Sequence, residues 1–201
     1  MRRITLILGL FAATLSVGGC RKYKLEPPTG FAQVDDDDDG ARMKAGDDVG
    51  LNLRVFDNVD GGTLEFWAED LVKKLGRRGY ALVGQTAVKS KNGVVGTRFD
   101  FDYTAPGTTE KKFYSASLFV SDSSVVVVQL AGDEARRAAW APKLDGIAAQ
   151  TVVRGCKPGK KTCKGPQPGK LTSPPADPLL GVPDGLPQDD APTATASIAT
   201  P

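Results

Sequence analysis

Five of the six residues from Val125 to Leu130 are valine or leucine, and the sixth is Gln129. Branching at Cβ favours extended backbone, and successive side chains of a strand point to opposite faces of its sheet. A strand this uniformly apolar has to be covered on both sides. At an edge it would offer unpaired backbone and apolar surface to other chains, so it belongs inside a sheet.

The neighbouring segments supply that sheet. Leu51, Leu53 and Val55 alternate with Asn52 and Arg54, the period-two pattern of a half-buried strand, and Asp57 to Gly62 ends it with turn residues. Tyr80 to Val88 is the next candidate, followed by the hairpin signal Lys91-Asn92-Gly93. Val95, Thr97, Phe99, Phe101 and Tyr103 then share one face, opposite Arg98, Asp100 and Asp102, so one side is expected packed and the other wet. Pro106-Gly107 turns the chain into a return strand from Phe113 to Val120.

Two helices are expected. Thr63 is placed as N-cap, and Leu64, Trp67, Ala68, Leu71, Val72 and Leu75 follow at helical spacing, with acids early and Lys73, Lys74, Arg77 and Arg78 late, as the helix dipole favours. The second begins with a short turn from Glu134 to Trp140 and continues from Pro142, a residue suited to a first turn, to Val153. The order strand, helix, four mostly antiparallel strands, helix makes residues 49–153 an α+β domain, an antiparallel sheet flanked by helices.

The flanks read differently. Arg2 and Arg3 precede an uncharged run from Ile4 to Val17, too short for the roughly 20 residues of a spanning helix and suited to a signal peptide over 1–19. Residues 20–48 include Pro27-Pro28 and five consecutive aspartates, Asp35 to Asp39, and are expected to be an extended, mobile acidic tether. Residues 154–201 hold ten prolines and no aromatic side chain and are expected to be a disordered tail.

Val17-Gly18-Gly19-Cys20 resembles the lipobox of bacterial lipoproteins, an aliphatic residue and two small ones before the cysteine that is lipidated. The resemblance implies cleavage before Cys20, acyl chains on that residue, a membrane partner through the lipid, and a location in the bacterial cell envelope. Arg21, where a sorting Asp would otherwise stand, implies the outer membrane. Loss of residues 1–19 removes two arginines and no acid, leaving 24 basic against 24 acidic side chains, so net charge makes no case for nucleic acid. Cys156 and Cys163 then remain as an even pair around six residues rich in turn formers, expected as a disulfide in an oxidising compartment, with two free thiols the alternative.

The strand Leu51 to Phe56 leading into the helix at Thr63, the pair around Phe99 and Tyr114, and the closing segment Trp140 to Leu144 resemble the Mog1/PsbP-like group, which includes DcrB-like envelope lipoproteins. That resemblance implies an α/β sandwich with a noncatalytic role in protein binding or assembly and no catalytic constellation to transfer.

The candidate chemistry is sparse. The chain has no histidine, which removes Ser/His/Asp and Cys/His dyads and HExxH zinc sites. Asp35, Asp37 and Asp39 before Gly40 match the opening of a calcium loop, but the twelfth position is Gly46 where a bidentate Glu is needed, so an acidic spacer is the better reading and no metal or cofactor is expected. Asp100 and Asp102 are the carboxylate pair a hydrolase would use, and Trp67 and Trp140 are where a small-ligand pocket would form between sheet and helices. Both pairs also suit an ordinary wet strand face and core packing. The expectation is a lipid-anchored envelope component that binds another, unidentified protein.

Overall fold

The structure, a computed structural model, describes residues 21–157 and 162–178. Its strands are β1 (Tyr23–Lys24), β2 (Phe31–Asp36), β3 (Gly40–Ala45), β4 (Gly50–Asp57), β5 (Ala81–Lys89), β6 (Val95–Thr104), β7 (Lys111–Val120), β8 (Ser124–Asp133) and β9 (Val152–Val153). Helices α1 (Leu64–Arg77), α2 (Arg137–Trp140) and α3 (Leu144–Gln150) complete it, with short 3-10 turns at Glu134–Arg136, Ala141–Lys143 and Thr162–Lys164. Seven strands form one antiparallel sheet in the order β2-β3-β4-β8-β7-β6-β5, while β1 pairs with β9. The α+β class expected from the strand and helix order is the class found.

The valine run lies at the centre, in β8 between β4 and β7. Its alternate side chains feed two separate cores. Val125 and Val127 join Leu64, Ala68 and Val72 of α1 and Phe99 and Phe101 of β6 on one face. Val126, Val128 and Leu130 join Leu51 and Leu53 of β4, Trp140, and Leu144, Ile147 and Ala148 of α3 on the other. Burial of each valine, leucine, isoleucine or phenylalanine among them stabilises the fold by about 1.5–3 kcal/mol.

Helix α1 starts where the capping pattern places it: Thr63 Oγ1 accepts from the Phe66 amide at 3.2 Å. The closing helix differs from expectation. It is three short turns before α3, and Val152–Val153 leaves it to pair with β1. Thr151 is already extended, and its hydroxyl donates to the Ile147 carbonyl at 3.1 Å, ending the helix.

The mobile tether is overturned, because the domain starts at its first described residues. Ala41, Met43 and Ala45 of β3 are buried while Arg42 and Lys44 are exposed, an alternation hidden by small residues in a charged stretch. The aspartates are divided rather than massed. Asp35 and Asp36 end β2, and Asp37 to Asp39 form the turn into β3, where the Asp39 amide donates to Asp37 Oδ1 at 2.8 Å. Arg21 bonds Asp36 at 2.5 Å and lies 3.4 Å from Asp38. The Tyr23 hydroxyl lies 2.9 Å from Asp36 Oδ1 and 2.5 Å from the Gly40 carbonyl. Repulsion within the run is offset by these partners. Gly40 is required, since a Cβ there would stand 2.2 Å from the Leu53 carbonyl oxygen.

The tail is also ordered over residues 154–157 and 162–178, and the rest of it lies outside the described residues. It runs along β5 and α1 as a strap: Gln85 Nε2 donates to the Pro168 and Gly169 carbonyls, the Leu82 amide to Ser173 Oγ, and the Asp177 amide to the Arg77 carbonyl that ends α1. Leu171 packs on the α1 core. Composition misled here because prolines restrict the unfolded chain, lowering the entropy lost on docking, and backbone groups rather than large side chains make the contacts. The strap also covers the β5 edge of the sheet.

Gly76 tests the strap. Helix propensity favours alanine over glycine by about 1 kcal/mol, yet a Cβ at Gly76 would meet Pro174 Cδ at 2.4 Å and its backbone nitrogen at 3.0 Å. Gly76→Ala should therefore release residues 165–177 and speed tryptic cleavage after Lys170; unchanged protection would mean the strap does not bear on α1.

Candidate functional site

Helix α1 covers only part of its face of the sheet. It packs against β5, β6 and β7, and over β3, β4 and β8 the same face carries a groove of about 720 Å³. Its floor is Asn52 and Arg54 of β4, Gln129 and Ala131 of β8, and Arg42 and Lys44 of β3. The wall toward α1 is Tyr80, just after the helix, with Tyr103 of β6 and Tyr114 of β7. Asp37, Asp39 and Asp48 lie on the rim.

The wall is built from three of the four tyrosines in the chain. Tyr80 and Tyr103 are stacked with centroids 4.4 Å apart, and Tyr114 meets Tyr80 edge-on at 5.3 Å, arrangements favoured by the ring quadrupoles. Burial pushes the Tyr80 hydroxyl up to about 12, with Tyr103 adding to the shift, and it raises Tyr103 and Tyr114 as well. These phenols stay neutral at ordinary pH. The groove thus combines aromatic surface, amides and guanidinium or ammonium groups, a set suited to contact with acidic or carbonyl-rich surface rather than to proton transfer.

Of the residues singled out from sequence, Asp35, Asp37 and Asp39 line the edge of the groove and the others fall elsewhere. Asp37 and Asp39 sit in the β2–β3 turn and Asp35 in β2, and among the described residues no three cysteines or carboxylates are placed to share a metal ion. Asp100 is not on a wet face. It accepts from Arg98 Nε at 3.2 Å and from Ser115 Oγ at 2.7 Å, and Arg98 also bonds Asp145 of α3. Asp102 pairs with Arg137 of α2. The side chains of Arg98 and Asp100 are only 13% and 22% exposed, so this polar row fastens the second helical layer to the sheet. Trp140 is buried, meets the Phe31 ring at a tilt with centroids 4.8 Å apart and donates to Asp47 at 2.9 Å; Trp67 donates to Asn58 at 3.1 Å. Neither tryptophan lines the groove. Where carboxylates are shifted, at Glu26, Asp36 and Asp47, hydrogen bonds move them down, the direction opposite to a general acid. Cys156 and Cys163 are joined by a disulfide. Cys20 lies outside the described residues.

Sequence reasoning missed the groove. Tyr103 was legible only as an inward-facing strand residue and Tyr114 only as part of the return strand, and Arg42 and Lys44 lay in the supposed tether. The usable signal was the concentration of tyrosine in the sheet with no helix pattern left to cover β3 and β4.

No family model and no curated protein matches the chain. Among solved structures it is similar to LpqN, described as involved in cell envelope biogenesis of Mycobacterium tuberculosis, with TM-score 0.47, 11% identity, and coverage of 65% of this chain and 82% of that one. It is also similar to a protein of Bacteroides thetaiotaomicron, with TM-score 0.40, 9% identity, and coverage of 69% and 47%. A third likeness is to the cyanobacterial PsbP of Synechocystis, with TM-score 0.41, 11% identity, and coverage of 71% and 99%. Likenesses this distant carry no argument about what this chain binds or does, and the fold class rests on the strands and helices themselves.

All four tyrosines are shifted upward, with burial the first cause at each. A raised folded-state value means stability that is complete below the free-phenol value near ~10 and is lost as pH rises beyond it. Absorbance at the phenolate band should show little ionisation near pH ~10 in the native protein and about half ionisation once denaturant is added. Half-ionisation near that pH in the folded state would contradict the buried wall.

Proposed function

We propose that this chain is a lipid-anchored component of the bacterial envelope that binds another protein without catalysing a reaction. Its anchor is Cys20, in the setting Val17-Gly18-Gly19-Cys20 behind a basic start and a short apolar run. Two or three acyl chains on that residue would hold it essentially permanently, since one chain alone anchors marginally. Among the described residues no helix is long and apolar enough to cross a membrane. The Cys156–Cys163 disulfide supports an oxidising compartment.

The observation that carries the binding role is the uncovered sheet face beside α1. It is broad and open, its floor mixes Asn52 and Gln129 with Arg42 and Arg54, and its wall is aromatic. Tyrosine and arginine dominate binding energy at protein interfaces. A small-ligand reading draws on the groove volume of about 720 Å³, which lies within the usual range for ligand pockets. The outer membrane, inferred from Arg21, is the expected site of the anchor.

Mass spectrometry of the purified protein should give an amino terminus at Cys20 with added acyl mass, and Cys20→Ala should move the protein from membranes to the soluble fraction. A photo-crosslinker at Gln129 should capture one envelope protein, and Arg54→Glu should abolish that capture while leaving the fold intact. Soluble, unacylated wild type would refute the anchor; capture unaffected by Arg54→Glu would remove the groove from the binding role.

A further inference from the structure

The fold begins almost at the proposed anchor. The Arg21 carbonyl accepts from Arg154 Nη1 at 3.1 Å, the Lys22 carbonyl accepts from the Arg154 amide at 2.8 Å, and Tyr23 is 2% exposed. Two residues separate Cys20 from that buried ring, a span of at most about 10 Å. Whatever end of the domain carries residue 21 would therefore lie against the bilayer.

That end is defined by strand register. Asp57 of β4 faces Ser124 of β8, and Val120 of β7 faces Val125, so the end of β4, the end of β7 and the start of β8 lie together. Lys22 pairs with Asp57 there. Beside that pair is an apolar surface no core absorbs. Among the described residues five large apolar side chains are exposed, and three of them fall between the end of β4 and the first turn of α1: Phe56 at 46%, Val59 at 84% and Phe66 at 58%. The loop presenting them is held. Asn58 is 3% exposed, its amide nitrogen donates to the Gly62 and Ser121 carbonyls at 3.0 and 2.9 Å, and its Oδ1 accepts from Trp67.

We propose that this end of the sheet is a bilayer-docking surface: Phe56, Val59 and Phe66 enter the headgroup layer beside the acylated Cys20 and stand the sheet end-on to the membrane. The proposal rests on the anchoring reading and adds to it an orientation. Interfacial apolar groups sink about 5–10 Å into the boundary between headgroups and acyl chains, the depth a short link from Cys20 allows. Asp60, next to Val59, restricts the contact to that hydrated layer. Docking is apolar rather than electrostatic, because Arg21 is engaged by Asp36 and Asp38 and Lys22 by Asp57. It should thus persist in high salt, where exposed charge attraction is screened. The groove, on a face of the sheet, would then open sideways along the membrane surface.

The test uses acylated full-length protein in phosphatidylethanolamine and phosphatidylglycerol vesicles containing a lipid with a nitroxide near its headgroup. Val59→Cys carries an environment-sensitive fluorophore, and Thr109→Cys, in the β6–β7 loop at the opposite end of the sheet, carries it as reference. The Val59 label should shift to shorter wavelength and lose about half its emission or more, at low and high salt alike, while the Thr109 label stays in water. If acyl mass and vesicle flotation are present but both labels behave alike, docking is wrong and anchoring stands. If acyl mass and flotation are absent, the anchoring reading fails and docking falls with it. Shielding of the Val59 label without vesicles would assign the surface to a second copy and overturn the proposal.

Discussion

Burial of β8 on both faces is the constraint from which the rest of the structure follows. A strand with valine or leucine at five of six consecutive positions needs apolar material above and below, and neighbours on both sides. β4 and β7 supply the neighbours, α1 one cover and α2 with α3 the other. The helices do not cover the two faces equally. On the α1 side the cover stops short of β3 and β4, and the exposed remainder is the groove. The candidate site is thus a by-product of how one amphipathic helix of limited length sits on a seven-stranded sheet.

The second layer is fastened by charge as well as by apolar packing. Arg98 bridges Asp100 and Asp145, and Arg137 bridges Asp102 and Glu134, so the polar row of β6 reaches up to α2 and α3. Such partly shielded pairs cost desolvation and act best as locators of the elements they join. This use of Asp100 and Asp102 explains why two carboxylates on one strand face are poor candidates for acid-base chemistry in this chain.

The central sheet was legible because its strands obey strict periodicity: Phe99, Phe101 and Tyr103 point inward, as does every second residue of β4. Thr63 announced α1 through a capping geometry that the structure reproduces. The termini were illegible for opposite reasons. In β3 the buried positions are Ala41, Met43 and Ala45, too small or too few to stand out beside five aspartates, and the turn before it is held by Tyr23 and Arg21 from 13 to 17 residues earlier in the chain. In the tail the ordering comes from Gln85, Ser173 and backbone carbonyls, contacts that no hydrophobic pattern records. Pairing of β1 with β9 likewise joins segments more than a hundred residues apart, so neither strand signals itself locally. The groove inherits this blindness, since a third of its floor, Arg42 and Lys44, lies on β3.

Where folded structure begins decides how the domain can be held. If Arg21 enters the domain directly, the proposed anchor at Cys20 would hold a rigid sheet against the bilayer; with a free acidic linker the domain would wander and no orientation would follow. Hydrogen exchange of the intact mature protein, read by mass spectrometry on peptides spanning residues 31–45, measures this most directly. Slow exchange across β2 and β3, comparable to the outer strand β5, is the expected result. Exchange of those peptides at the rate of an unstructured chain, with β4 onward protected, would contradict it.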